Sequence, residues 1–283
     1  MPSIVAPGQV RRVILVVLDG LRPDAVPRFR LDNVLHLARI GAATFNAQTI
    51  APSVTSAAMA TLLTGATPDR HGLDSSRLRI PRSRGPLHPL PRELSRMGLP
   101  TSVFMHRIPW IFTGFAKRAA ERLGVEDAHF GGREAIEILA AARERLLRQR
   151  EGLIVLHWPD ADLAGHDHGW MSPQYGAGAR QLDFALGVLL QLVDVSDPGT
   201  LLVAVADHGG GGRWLRDHDS DHPDDRTIPV LLAGGAVQPG GLGPDVRLED
   251  VPATICQALG VPLPSSFAGN VLMEHERADQ SAA

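Results

Sequence analysis

The feature that most constrains the fold of this 283-residue chain is a set of short, unbroken apolar runs closed by polar or turn residues. They occupy Val13–Leu18, Leu153–Trp158, Leu201–Ala206 and Pro229–Ala233. A half-exposed strand would alternate polar and apolar residues, so continuous runs are the pattern of strands buried on both faces, as in a parallel sheet. Helical patterns lie between them: Asn33–Ile40 closed by Gly41, Arg133–Arg150 with a basic last turn, and Ser172–Val193 opening on Ser172-Pro173. This alternation predicts a three-layer α/β/α fold around a mostly parallel central sheet, with ligands gathered beyond the carboxyl ends of the strands. Leu73–Arg92, rich in Arg, Pro and Ser, breaks the pattern. One catalytic domain over 1–283 is expected, with a small cap inserted around 74–130 and a frayed tail over Glu274–Ala283.

Composition narrows the function. A formal net charge of −3 gives no general attraction to nucleic-acid polymers or anionic lipid, so an anionic substrate must be drawn in locally. Cys256 is the sole cysteine, which excludes an internal disulfide framework and a thiolate-rich metal site. No apolar stretch approaches a membrane span, and Val13–Leu18 is too short for a secretory core, so the expected location is the cytoplasm and the expected partner a small molecule.

Three of the four apolar runs lead into acidic or imidazole side chains: Asp19 after the first, Asp162 and His166 after the second, Asp207-His208 after the third. One Asp at a strand end is more often a helix cap or turn former, and one His more often structural. However, six of the twelve histidines, at 157, 166, 168, 208, 218 and 222, fall in one window, interleaved with Asp160, Asp162, Asp207, Asp217, Asp219 and Asp221. Carboxylates and imidazoles without cysteine suit Zn, Mn or Fe. Asp162 and His166 stand one helical turn apart. A hydroxyl completes the set: Thr55 and Ser56 open an apolar helical run, where either is a helix cap or a group facing an anion at the positive end of the helix dipole.

The ordered set Val13–Asp19-Gly-Leu-Arg-Pro-Asp24, Thr55 before Thr64-Gly65, Pro68-Asp-Arg-His71-Gly72, Asp162-Leu-Ala-Gly-His166, Asp207-His208-Gly209 and His218…Pro223-Asp-Asp…Ile228-Pro229 resembles the alkaline phosphatase superfamily. Within it the type I phosphodiesterase and nucleotide pyrophosphatase branch is the most similar. The resemblance implies two divalent metal ions, zinc as first choice. Asp19, Thr55, Asp207 and His208 would hold one, and Asp162, His166 and His218 the other, His218 being preferred to His222. It assigns His71 to structural support and Thr55 to nucleophilic attack on phosphorus, giving a phospho-threonine intermediate that water hydrolyses.

The chain departs from the nucleotide pyrophosphatase pattern directly after the nucleophile, where those enzymes resemble Thr-Phe-Pro-Asn and this chain reads Thr55-Ser56-Ala57-Ala58. The reading is therefore phosphoester hydrolysis in general, diesters before monoesters. Monoesters carry an extra charge, which Arg107 or Arg213 would have to meet. Sulfatases, phosphoglycerate or phosphopentose mutases, and a non-catalytic metal-stabilised binding protein are the rivals. Sulfatases would need a Cys or Ser in Cys-x-Pro-x-Arg. Mutases of this type generally carry a larger inserted domain than 283 residues allow.

Overall fold

The computed structural model describes residues 3–74, 83–235 and 237–275. Its strands are β1 (Arg12–Leu18), β2 (Ala42–Gln48), β3 (Thr101–His106), β4 (Asp127–Gly132), β5 (Gly152–Trp158), β6 (Thr200–Val205), β7 (Thr227–Gly234), β8 (Gly240–Leu242) and β9 (Glu274–His275). The helices are α1 (Ala25–Arg28), α2 (Asp32–Ile40), α3 (Thr55–Thr64), α4 (Pro68–His71), α5 (Leu90–Arg96), α6 (Trp110–Arg122), α7 (Ala135–Arg148), α8 (Asp160–His168), α9 (Pro173–Leu192), α10 (Pro223–Arg226) and α11 (Asp250–Ala258).

All nine strands form one sheet in the order β4-β3-β5-β1-β6-β7-β2-β8-β9. The five from β4 to β6 are parallel, with β1 between β5 and β6 and every residue of these three strands buried. The continuous apolar runs follow from this, because helices cover both faces of these strands. α7 and α2 both pack on α9, while α3 packs with α4, α5 and α11. The result is the expected three-layer α/β/α fold.

The fourth apolar run becomes β7, which is antiparallel to both neighbours, β6 and β2. No crossover helix joins β6 to β7. A long loop leaves the carboxyl edge and returns to it, so the chain has to run back down. α9 begins where its sequence signal placed it, with the Ser172 hydroxyl accepting from the Tyr175 amide at 3.1 Å and Pro173 in the first turn.

Two expectations are corrected. The stretch 74–130, read as a cap, supplies in its described part α5, β3, α6 and most of β4, and both strands extend the central sheet. Its Pro- and Arg-rich start hid a βαβ unit, and residues 75–82 lie outside the described residues. Glu274–His275, read as the start of a frayed tail, pair with β8 as β9, while 276–283 lie outside the described residues.

Candidate metal centre

The site forms where β1, β5 and β6 end. The Asp19 amide donates to the Trp158 carbonyl at 3.0 Å, extending the ladder by one residue. The chain then turns at Gly20, whose φ of +69° and neighbour explain the residue, since a Cβ there would lie 2.9 Å from Asp162 Cα. The turn is locked on both sides. Its amide donates to Asp207 Oδ1 at 3.2 Å, and its carbonyl accepts from Trp170 Nε1 at 3.0 Å and from the Tyr175 hydroxyl at 2.9 Å. The Asp162 amide donates to the Asp19 carbonyl at 3.1 Å, which draws the first turn of α8 over the strand end.

Asp207 and His208 are fully buried. Asp207 Oδ1 also accepts from the His208 amide at 3.0 Å, leaving Oδ2 turned inward, 3.5 Å from His208 Nε2. The other distances from His208 Nε2 are 3.3 Å to Asp19 Oδ1, 3.9 Å to Asp162 Oδ1 and 3.0 Å to Thr55 Oγ1. The His208 and His218 rings stack, with centroids 3.8 Å apart. His218 Nε2 stands 3.7 Å from Asp162 Oδ1 and 3.2 Å from His166 Nε2, and His166 Nε2 stands 3.5 Å from Asp162 Oδ1. All seven residues singled out in the sequence therefore meet in one place.

Thr55 is the first residue of α3. Val54 is the N-cap, and its carbonyl accepts the Ala57 and Ala58 amides at 3.0 Å each. The Thr55 hydroxyl is thus set against His208 rather than spent on the helix end. His222 does not join the cluster: it is exposed, and its Nδ1 accepts the Asp224 amide at 3.2 Å to cap α10. His71 is structural, donating to Thr61 Oγ1 at 3.1 Å while its Nδ1 accepts the Leu73 amide at 3.1 Å. His168, Arg107 and Arg213 are exposed, and Arg213 lies over the Trp214 ring.

The donor chemistry fits divalent cations. A carbonyl can only accept, so the bonds from Nδ1 of His208, His218 and His166 to the carbonyls of Gly209, Ser53 and Arg216, at 2.9, 2.6 and 2.9 Å, place a proton on each Nδ1. In the neutral ring each Nε2 then carries the lone pair and faces inward, the usual orientation of a ligating imidazole. Asp19 Oδ1, Asp162 Oδ1 and Asp207 Oδ2 are buried without a hydrogen-bond partner. Two triads have all their ligand atoms within 4.8 Å of one another, Asp19/Asp207/His208 and Asp162/His208/His218.

Electrostatics agree. Burial, then Asp207 and Asp162, raise the Asp19 carboxyl well above its ordinary range. Burial opposes charge on His208, but Asp207, Asp19 and Asp162 outweigh it and raise that imidazole to about 10. Burial and the neighbouring His208 push His218 down to about 3. Buried carboxylates held this close call for positive charge among them.

Two contributors have no motif of their own. His157 on β5 is buried with both ring nitrogens unpaired, its Nε2 3.4 Å from Asp19 Oδ2. Trp170 is buried, with its ring edge-on to His166, centroids 5.2 Å apart. His157 was visible in the sequence as one of the clustered histidines, but the register of β5 on β1 was needed to place it beside Asp19, and a view of the close-approach glycines to place Trp170. A Cβ on Gly165 or Gly210 would lie 2.6 or 2.1 Å from its ring.

The fold and part of the sequence have relatives. Over 95% of its length the chain superimposes on an alkaline phosphatase superfamily protein from Vibrio parahaemolyticus, with a TM-score of 0.71, 16% identity and 71% of that chain covered. Murine ectonucleotide pyrophosphatase / phosphodiesterase 5 gives a TM-score of 0.69 at 13% identity, covering 93% of this chain and 100% of that one. Among curated proteins, a 2,3-bisphosphoglycerate-independent phosphoglycerate mutase of Synechococcus sp. is 32% identical over 152 residues, 50% of this chain and 27% of the mutase. The phosphopentomutase of Symbiobacterium thermophilum is 32% identical over 121 residues, 42% of this chain and 28% of that protein. The chain thus spans just over a quarter of the curated relatives' length. A family model described as type I phosphodiesterase / nucleotide pyrophosphatase matches residues 13–85 and 102–213, taking in Asp19, Thr55, Asp162, His166, Asp207 and His208. The match covers more than half of the chain and includes six of the seven clustered residues, so the chain belongs to the type I phosphodiesterase / nucleotide pyrophosphatase family.

Proposed function

We propose that the protein is a metal-dependent phosphodiesterase that uses Thr55 as nucleophile. The observation that carries this reading is the Thr55 hydroxyl, uncommitted to its helix, 3.0 Å from His208 Nε2 and beside three unpaired buried carboxylate oxygens. Asp19, Asp207 and His208, with Thr55, would hold one divalent cation, and Asp162, His166 and His218 a second, with His208 standing between the two sets. Such cations supply the positive charge that favours an alkoxide and stabilises the phosphoryl oxygens. Thr55 Oγ attacks phosphorus in line, the leaving oxygen departs, and water cleaves the resulting phospho-threonine. The carbonyl anchors of the three imidazoles hold their Nε2 atoms in place through these steps, so little reorganisation is needed.

A diester, unlike a monoester, also needs space for the substituent that stays on phosphorus. A cavity of about 650 Å³, lined by Ala51, Pro52, Arg213, Asp219, Ser220, Asp221 and His222, opens beside the segment that carries Ser53 and His218. A substituent on the second ester oxygen fits this arrangement, which favours diesters.

The test is hydrolysis of bis-(p-nitrophenyl) phosphate, p-nitrophenyl phosphate and p-nitrophenyl sulfate by metal-replete protein, with EDTA-treated protein and Thr55→Ala in parallel. Diester turnover is expected, reduced at least ~10³-fold in Thr55→Ala, since removal of a nucleophile leaves only binding and electrostatic catalysis. Undiminished turnover by Thr55→Ala sinks the assigned nucleophile. The similarity to mutases supports a second reading, transfer of a phosphoryl group to an acceptor alcohol. Monoester preference with phosphate passed to added alcohol would favour it.

A further inference from the structure

α6 is built inside out. Its large apolar residues face solvent, with Trp110 86%, Ile111 61% and Phe115 71% exposed, while small residues, Ala116, Ala119 and Ala120, form its half-buried inward face. Helices that pack on a sheet normally turn their large apolar residues inward. The exposed face continues into charge: Arg118 and Arg122 lie seven and eleven residues beyond Ile111, on the same side, and Lys117 flanks them. From Arg107 to Arg122 there are four cations and one acid, in a chain whose formal net charge is −3.

The position of this face is as specific as its composition. β3 ends at His106 and runs parallel to β5, which is parallel to β1, so Trp110 begins its helix at the carboxyl edge that also carries Asp19 and Asp207. No helix among the described residues is long and apolar enough to cross a membrane. An aromatic and aliphatic tip backed by arginine and lysine is the composition of a helix that lies in a bilayer interface. Basic residues beside the inserted groups select an anionic surface.

We infer that the exposed face of α6 docks the protein on an anionic bilayer surface, with Trp110, Ile111 and Phe115 inserted and Lys117, Arg118 and Arg122 at the headgroups. The claim is one of binding and is independent of the reaction proposed above, so the two stand or fall separately.

The experiment is co-sedimentation of the full chain with vesicles of phosphatidylcholine alone or with ~30% phosphatidylglycerol, at two salt concentrations, with no substrate present. Wild type is expected to bind the anionic vesicles, more weakly at high salt. Trp110→Ala/Phe115→Ala and Lys117→Gln/Arg118→Gln/Arg122→Gln are each expected to bind at least about tenfold more weakly. The altered side chains are exposed, and unchanged melting curves would show that both variants fold. Wild type remaining in the supernatant with both vesicle types overturns the inference, as does equal binding of wild type and both variants. Sedimentation equilibrium without vesicles supplies the remaining arm. An oligomer that Trp110→Ala/Phe115→Ala converts to monomer, without vesicle binding, would assign the face to a second copy of the chain instead.

Discussion

A threonine inside a helix can return its hydroxyl to the carbonyl four residues back, and Thr64 does this, bonding the Ala60 carbonyl at 2.6 Å. Thr55, at the first position of the same helix, has no turn behind it, so its hydroxyl is left for His208. One residue type thus plays two roles because of its place in the helix. The histidines divide in the same way. His71 is held down to about 4, chiefly by burial, which its neighbour Asp69 only partly offsets. A folded-state value below the unfolded one of ~6.5 means a contribution fully present above pH ~6.5 and lost as pH falls through 4. Wild type is therefore expected to lose about 2 kcal/mol more stability than His71→Asn between pH 7 and pH 4. Urea unfolding at both pH values measures this, and parallel losses in the two proteins would remove His71 as the cause. His218 and His222 stand four residues apart, and the resemblance preferred the first; their rings meet different partners, the Ser53 carbonyl in one case and the Asp224 amide in the other.

At the scale of elements, the site depends on α8 lying close to the chain around it. Asp162 and His166 share a face one turn apart, as their spacing foretold. Their height over the strand ends is set by Gly20 beneath Asp162 and by Gly165 against the Trp170 ring. Gly165→Ala would put a methyl 2.6 Å from that ring, and Trp170 is fixed from its other side by its bond to the Gly20 carbonyl. The expected cost is about 1–3 kcal/mol from overpacking, with weakened metal binding as His166 moves. Chemical denaturation and metal titration of this variant, beside Gly243→Ala with open space at its Cβ, test the point. Equal stability of the two variants would show that the ring yields freely. The same scale explains the misread cap. Thr101–His106 and Trp110–Gly124 have strand-like and helix-like texture, and Thr101–Phe104 are buried, but β4 is a half-exposed edge strand and α6 turns its large apolar residues outward, so nothing local showed that the segment extends the central sheet.

For the molecule as a whole, the carboxyl edge gathers negative charge that the sheet cannot dissipate. Asp19, Asp162 and Asp207 are buried around His208, and residues far apart in the chain are held together there. Metal bound at about 100 times its Kd would stabilise the fold by about 2.7 kcal/mol for each independent site. Stripping it is therefore expected to lower Tm by roughly 5–10 °C per site, reversed by adding the metal back. Scanning calorimetry of the stripped and reconstituted protein checks this, and an unchanged Tm would mean that these residues bind no metal in the folded chain.

Periodicity was enough to read the α/β class and the strands β1, β5 and β6, and it marked Asp19, Asp162, His166, Asp207 and His208 as residues placed where a strand stops or one helical turn apart, because those signals are local. The choice of Thr55 and His218 came from the family resemblance. The reversal of β7, the recruitment of β3, β4 and β9 to the sheet, and the positions of His157 and Trp170 beside the site depended on the tertiary structure. Each of these depends on register or close approach between segments distant in sequence, and nothing in the local pattern of either segment encodes where the other will lie.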